Sequence, residues 1–292
     1  MAMARRMSGA IPINVIPAEY RPAILEEYKG NPLIEALPPL TDISDLMRAF
    51  GRFPLVSDEE RTLSPVMRMQ AISRLDNYLE PLPQHFEVAD TLNLILRGGY
   101  VHRNPLRPDY RAELIRLYRH SLDGDRRSLF AAPPSTAPSF ALFGISGLGK
   151  STVIEQTLSF LPQALLHKKY KFLQLVWLKL DCPGGGSIKQ LLLALTEAID
   201  SLIGTKYKPR RLRDTSVEEF IIEAAKIAAR HYLGVLVIDE IQNLLAAKGV
   251  GVETLLNFLV MFQNIAKIPI VFIGTPQALS VLADRIHLRW LR

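Results

Sequence analysis

The sequence predicts a three-layer α/β domain on a parallel sheet, preceded by a proline-rich accessory region. Two observations carry this expectation. In the second half of the 292 residues, short apolar runs of strand length alternate with longer segments of helical period. Such alternation calls for parallel strands joined by right-handed helical crossovers. In the first 92 residues, ten of the twenty prolines interrupt the chain, among them Pro38, Pro39, Pro81 and Pro83, and proline both removes a backbone donor and breaks helix interiors. A chain of this length also exceeds what one hydrophobic core usually serves. The expected division is an accessory or partner-docking region over 1–92 and a second domain over 93–292.

The elements follow in order. Ala23 to Tyr28 and Ser64 to Leu79 read as short helices, the latter with apolar residues at Val66, Met69, Ile72 and Leu75. A punctuated stretch from Leu129 to Ser139 leads into an apolar strand, Phe140 to Phe143, then glycines, then a helical pattern. Leu173 to Leu180 reads as a strand and Ile188 to Leu202 as a helix. Ser216, with Glu219 three residues on, opens another helix with a capping box. Val235 to Ile238 and Ile270 to Ile273 read as strands, separated by an apolar helix over Val252 to Ile265.

Composition narrows the class. No apolar run approaches the roughly 18 residues that span a bilayer, and Arg5, Arg6, Pro12 and Pro17 break up the start too much for a secretory signal; a soluble, cytoplasmic protein without a membrane partner is expected. The single cysteine, Cys182, makes neither an intrachain disulfide nor a multi-thiolate zinc site, and reads as a small packed side chain. The net charge of +6 favours a polyanionic partner, although many basic enzymes bind only nucleotides.

The chemistry lies in three motifs. GISGLGKS, Gly144 to Ser151, satisfies the Walker A pattern at every fixed position and stands between a strand and a helix. Its glycines let backbone N–H groups of Gly144, Ser146, Gly147, Leu148 and Gly149 turn toward phosphates, and the helix N-terminus at Lys150, Ser151 and Thr152 adds a positive dipole end. Lys150 is expected to reach the β and γ phosphates, and Ser151 to ligate Mg2+. About ninety residues later, VLVI ends in Asp239 and Glu240, the Walker B arrangement: Asp239 serves the Mg2+ sphere and Glu240 acts as general base toward water. IGTP then ends the following strand. Thr275 either orients the attacking water or simply N-caps a helix beginning at Pro276, and both can hold together. A fourth, softer feature is TKYKPRRLR, in which Lys206, Lys208, Arg210, Arg211 and Arg213 run without an acid until Asp214. It can neutralise a nucleic-acid backbone or be a solvated loop; HKKYK, at His167 to Lys171, is a weaker signal of the same kind.

Together these describe a P-loop NTPase of the AAA+ type that uses ATP and Mg2+. Beyond the three motifs, the chain resembles the TnsC family of AAA+ regulators of cut-and-paste transposition, relatives of TniB and MuB. The resemblance is carried by YKGNPLIEALPPL at Tyr28 to Leu40, RGGYVHRNP at Arg97 to Pro105, and VWLKLDCPGGGSIK, LGVLVIDEIQNL and IPIVFIGTP. It implies a bacterial, cytoplasmic ATPase that assembles with ATP as a homo-oligomeric ring or filament on double-stranded DNA; since nothing in the sequence resembles a helix-turn-helix or zinc reader, binding without reading the DNA sequence is expected. It also implies a target-selection protein of the TnsD or TniQ type and transposase subunits as partners. By the same resemblance, Tyr100, Val101 and Arg103 close over the adenine, and Ser187, Lys189, Thr205 and Lys206 face DNA; Lys208 and Arg210 join them from the basic run. The family pattern continues into a last strand and a helical lid carrying a second sensor arginine, whereas this sequence stops soon after the helix following IGTP; a short or absent lid, or a shortened sequence, is expected. Arg285, Arg289 and Arg292 are the arginine-finger candidates. A P-loop kinase would need a substrate lid, and a GTPase would need an NKxD-type signature; neither is visible. An ATP-binding switch or scaffold that does not act on DNA stays open.

Overall fold

The computed structural model describes residues 15–40, 42–122, 137–184, 187–207, 216–246 and 252–283. They fall into two compact units, one formed by the chain up to Pro38 and from Leu94 onward, the other by Pro39–Asn93.

The larger unit carries a four-stranded parallel sheet made of β2 (Phe140–Phe143), β5 (Trp177–Asp181), β6 (Val235–Asp239) and β7 (Ile270–Gly274), in the order β2-β7-β6-β5. With its crossing helices this is the α/β class expected from the sequence. Every residue of β6 is buried, which explains why a central parallel strand reads as a continuous apolar run rather than an alternating one. The connecting helices are α6 (Lys150–Ser159), α7 (Ile188–Ile203), α8 (Val217–Arg230), α9 (Gln242–Ala246), α10 (Val252–Ala266) and α11 (Pro276–Ala283). Helix α8 packs against both α7 and α10; its fully or nearly buried Ala224, Ala225, Ala228 and Ala229 let neighbouring backbones come close. The expected capping box is present: Glu219 N donates to Ser216 Oγ at 3.1 Å and Ser216 N to Glu219 Oε2 at 3.2 Å.

One expected strand is two. Leu173–Leu180 divides at Val176 into β4 (Phe172–Leu175) and β5, which belong to different sheets. Leu175 pairs with Ala164 of β3 (Ala164–His167), and two residues later Trp177 pairs with Val235. Both stretches are apolar, so nothing local marks the exchange of partner. β3 and β4 form a hairpin, and β1 (Val15–Pro17) adds a parallel strand on the far side of β3.

The segment that follows β1 is bound to the same unit by main-chain and amide hydrogen bonds. Asn31 is almost fully buried; it caps α1 (Pro32–Glu35) through Leu33 N and donates from Nδ2 to Tyr100 O at 2.8 Å. Gln174 Nε2 donates to Leu33 O at 3.0 Å, Asn104 Nδ2 to Gly30 O at 3.1 Å, and Arg97 to Pro38 O. Helix α4 (Pro83–Val101) contributes its last turns here, followed by α5 (Pro108–Leu122). The Ala23–Tyr28 helix is only a 3-10 turn at Glu26–Tyr28.

The smaller unit holds α2 (Ile43–Phe50), α3 (Pro65–Ile72) and the start of α4. Its buried apolar residues are few: Leu46, Phe50, Ala89 and Leu92, with the Phe50 ring against His85 and Phe86. The helix expected over Ser64 to Leu79 stops at Ile72 and continues as 3-10 turns to Asn77. Val66, Met69, Ile72 and Leu75, whose spacing implied one packed face, are all exposed.

Two histidines are withdrawn from solvent, His167 fully and His231 in part. His167 stacks on Phe172 at 4.3 Å and shares hydrogen bonds with Tyr20 Oη and Gln174 Oε1; His231 Nε2 meets Tyr207 Oη at 2.9 Å. Burial lowers both to about 4. A folded-state value below the unfolded one means that the unfolded chain takes up protons first as pH falls, so stability is full above about pH 6.5 and declines toward pH 4. The expected loss is about 2 kcal/mol per histidine by pH 5, measured as urea unfolding free energy across this range; replacing His231 with Gln is expected to halve the slope.

Candidate nucleotide site

The carboxyl ends of the four parallel strands share one edge, and there the chain places its phosphate loop. Gly144 N donates to Gly274 O at 3.2 Å, tying the start of the loop to the end of β7. Gly147 and Gly149 have φ of +84° and +76°, a left-handed backbone that glycine alone adopts without strain. Gly149 is the N-cap of α6, so Lys150, Ser151 and Thr152 form its first turn, whose N–H groups lack intrahelical acceptors and point toward an anion site. Lys150 Nζ lies over the loop, donating to Gly144 O and Ile145 O, both at 2.8 Å.

Asp239 ends β6 nearly buried, at 3% exposure. Its Oδ1 accepts from Glu240 N at 2.8 Å. Glu240 is exposed and has φ of +55°, a strained backbone for a non-glycine residue and one found preferentially at functional sites. Its carboxylate accepts from Gln242 Nε2, and Gln242 Oε1 accepts from Thr275 N at 3.2 Å. Since β7 lies between β2 and β6, Thr275, the residue after β7, stands between the phosphate loop and the Asp239–Glu240 pair. The two readings of Thr275 are separable: its carbonyl accepts from Ala278 N and Leu279 N at the start of α11, but its hydroxyl is buried without a partner. The hydroxyl therefore does not cap the helix. An unpaired buried hydroxyl costs roughly 1–3 kcal/mol, a cost consistent with a group held for a ligand.

Sequence reasoning passed over two residues here. Lys179 of β5 places Nζ 2.9 Å from Glu155, 3.1 Å from Asp181 and 3.1 Å from Asp239 Oδ2. Burial by itself would lower its pKa, but the bonds to Glu155, Asp181 and Asp239 outweigh that and raise it. The signal was the alternation WLKLD, in which a lysine breaks an apolar strand. Gln242 was the other, visible only as part of IDEIQN. Cys182, expected as a packed residue, is buried; burial first, then the charges of Asp239, Asp181 and Glu240, push its thiol up to about 12, so it stays protonated.

Other candidates lie elsewhere. Tyr100 and Arg103 meet the amino end of β6, roughly 15 Å along the strand from Asp239. Tyr100 Oη donates to Tyr232 O at 2.9 Å, and Arg103 Nη1 to Leu233 O at 2.7 Å and Nε to Gly99 O at 2.6 Å. Both are fully buried; Tyr100 and Val101 end α4, and Arg103 follows in the turn beyond it, so the structure does not bring the three to the phosphate loop. Arg103 is a buried cation held by carbonyls and by the Tyr100 ring at 4.8 Å. Ser187 and Lys189 open α7, whereas Thr205 and Lys206 follow its end, about 24 Å away for a helix of this length. They do not form one cluster, and Thr205 Oγ1 donates to Asp200 at 2.7 Å. Lys208, Arg210, Arg211, Arg213, Arg285, Arg289 and Arg292 lie outside the described residues.

The profile of an AAA domain family matches residues 133–282, just over half of the chain. The chain belongs to that family. No curated protein matches the chain. The match covers the strands, loop and carboxylates described above, and it makes this a P-loop ATPase domain. Among the described residues, no helix is long and apolar enough to cross a membrane.

The placement of Arg103 predicts a purely structural phenotype for this ATPase. Arg103→Ala is expected to lower the unfolding free energy by roughly 3 kcal/mol or more, while the ATP affinity of the folded protein changes less than twofold; urea unfolding and equilibrium ATP binding measure the two.

Proposed function

We propose that this AAA ATPase hydrolyses ATP at the edge formed by Lys150, Ser151, Asp239, Glu240 and Thr275, and that ATP drives its assembly on duplex DNA to regulate transposition in the manner of the TnsC family. The observation that carries the hydrolysis reading is the order β2-β7-β6, which sets a phosphate loop, a polar residue and two acids side by side. The donor set suits Mg2+: one hydroxyl, Ser151, and one carboxylate, Asp239, with phosphates and water completing the shell. When bound, the cation neutralises charge building on the β and γ phosphates. Lys150 binds the phosphates, Glu240 takes the proton of the attacking water, and the unpaired Thr275 hydroxyl orients that water. Gln242, bonded to both Glu240 and Thr275 N, keeps the base and the orienting residue in register.

The transposition reading rests on the segments that resemble that family, from YKGNPLIEALPPL to IPIVFIGTP, and on the basic run beginning at Lys206. Its partners are duplex DNA, a second copy of the chain, a target-selection protein of the TnsD or TniQ type, and transposase. The accessory region read over 1–92 is the docking region for a partner protein; the exposed Val66, Met67, Met69 and Ile72 of α3 support that role, since apolar, methionine-rich surfaces suit adaptable contacts. The site of action is the bacterial cytoplasm, on DNA.

Glu240→Gln is expected to retain ATP binding and lose at least about a hundredfold in turnover, and Lys150→Ala to lose ATP binding; equilibrium binding and phosphate release distinguish them. Sedimentation with random-sequence duplex DNA is expected to give large complexes only with a slowly hydrolysed ATP analogue, weakening steeply as salt rises. A protein that binds ATP yet ignores DNA at every salt concentration would remove the transposition reading and leave a P-loop ATPase switch.

A further inference from the structure

We infer that Lys179 is a positioning residue that makes divalent-cation binding at Asp239 depend on bound nucleotide. The inference rests on the ATPase reading of this edge and concerns a residue that no Walker motif includes. Its Nζ sits within 3.1 Å of three carboxylates contributed by different parts of the fold: Glu155 from α6, the helix of the phosphate loop, Asp181 from the end of its own strand, and Asp239 from β6. Only 16% of the Lys179 side chain is exposed, and only 4% of that of Asp239. The other two acids are more than half exposed.

Two consequences follow from this geometry. First, both Asp239 oxygens are engaged by the protein, Oδ1 by Glu240 N and Oδ2 by Lys179, so the carboxylate is held in one orientation before any ligand arrives. Second, the ammonium occupies the point where the three carboxylates converge. Among the described residues, no group of three or more His, Cys, Asp or Glu is set to hold a metal ion, so a cation at Asp239 has to draw ligands from elsewhere. A cation that approaches Asp239 meets a fixed positive charge and gains enough attraction only when phosphates contribute theirs. Lys179 thereby couples the cation to the nucleotide, and its contact with Glu155 couples the orientation of Asp239 to the helix that carries the phosphate loop.

The test uses the full chain with Lys179→Met, which keeps the length of the side chain and removes its charge. Thermal unfolding is followed with Mn2+ or Mg2+ alone, and with ATP while Mg2+ is titrated; ATP binding in EDTA is the control. The wild type is expected to show no response to cation alone. The variant is expected to be stabilised by Mn2+ without nucleotide and to reach its ATP-dependent stabilisation at about tenfold lower Mg2+. Equal cation responses in the two proteins, with ATP binding intact, would overturn the inference and leave the ATPase reading standing; no ATP binding by the wild type with or without Mg2+ would overturn both. Should the Met variant fail to fold, Asp181→Asn serves instead, because that side chain is exposed. Removing its charge leaves Lys179 a stronger hold on Asp239, so the Mg2+ requirement is expected to rise several-fold, and an unchanged requirement overturns the inference.

Discussion

The hydrogen-bonded ladder that joins β2, β7 and β6 is the constraint on which the site depends. Parallel pairing brings all the carboxyl ends to one edge, and the register aligns Phe143 with Gly274 and Ile238 with Phe272. Because β7 is last in sequence but lies between the strands of the phosphate loop and the acids, Thr275 and the Asp239–Glu240 pair reach the loop from adjacent strand ends. No side chain has to extend far. The rigidity of this edge comes from buried strands, and the polar residues stand just beyond them.

Charge at this edge is arranged so that little is left loose. Asp239, though nearly buried, has a neighbour for each oxygen; Glu240 is exposed and sits on a strained backbone. The one buried side-chain nitrogen or oxygen without a partner among the described residues is the Thr275 hydroxyl. The opposite edge of the sheet follows another logic. There, Arg103 and Tyr100 hydrogen-bond to carbonyls at the starts of strands and close the base of the core, which is a stability role filled by residues of polar type.

The resemblance of Tyr100 and Arg103 to an adenine-closing element illustrates how a polar segment ahead of a core is read. An arginine and a tyrosine within RGGYVHRNP are ordinarily surface groups; here Tyr100 packs where any side chain at position 234 would collide with Leu96 and the Tyr100 hydroxyl, and Arg103 is held by the Leu233 and Gly99 carbonyls. Only the packed structure reveals that exclusion. The same holds for α3, whose helical spacing of Val66, Met69 and Ile72 signals a buried face; spacing records which residues share a face, but not whether another element covers it.

What the sequence by itself determined is local: the phosphate loop, with its left-handed glycines and helix N-terminus; the strand-end acids; the Ser216–Glu219 capping box; and the extents of α7 and α10 within a residue or so. These depend on backbone geometry and periodicity over a few neighbouring positions. The tertiary structure decided what depends on partners far along the chain: the division of Leu173–Leu180 between two sheets at Val176, the insertion of β7 between β2 and β6, and the gathering of Glu155, Asp181 and Asp239 around Lys179. A strand carries no mark of its neighbour, and a lysine carries none of the carboxylates it will meet, because both are set by which long-range pairings bury the most apolar surface while leaving the fewest polar groups unpaired.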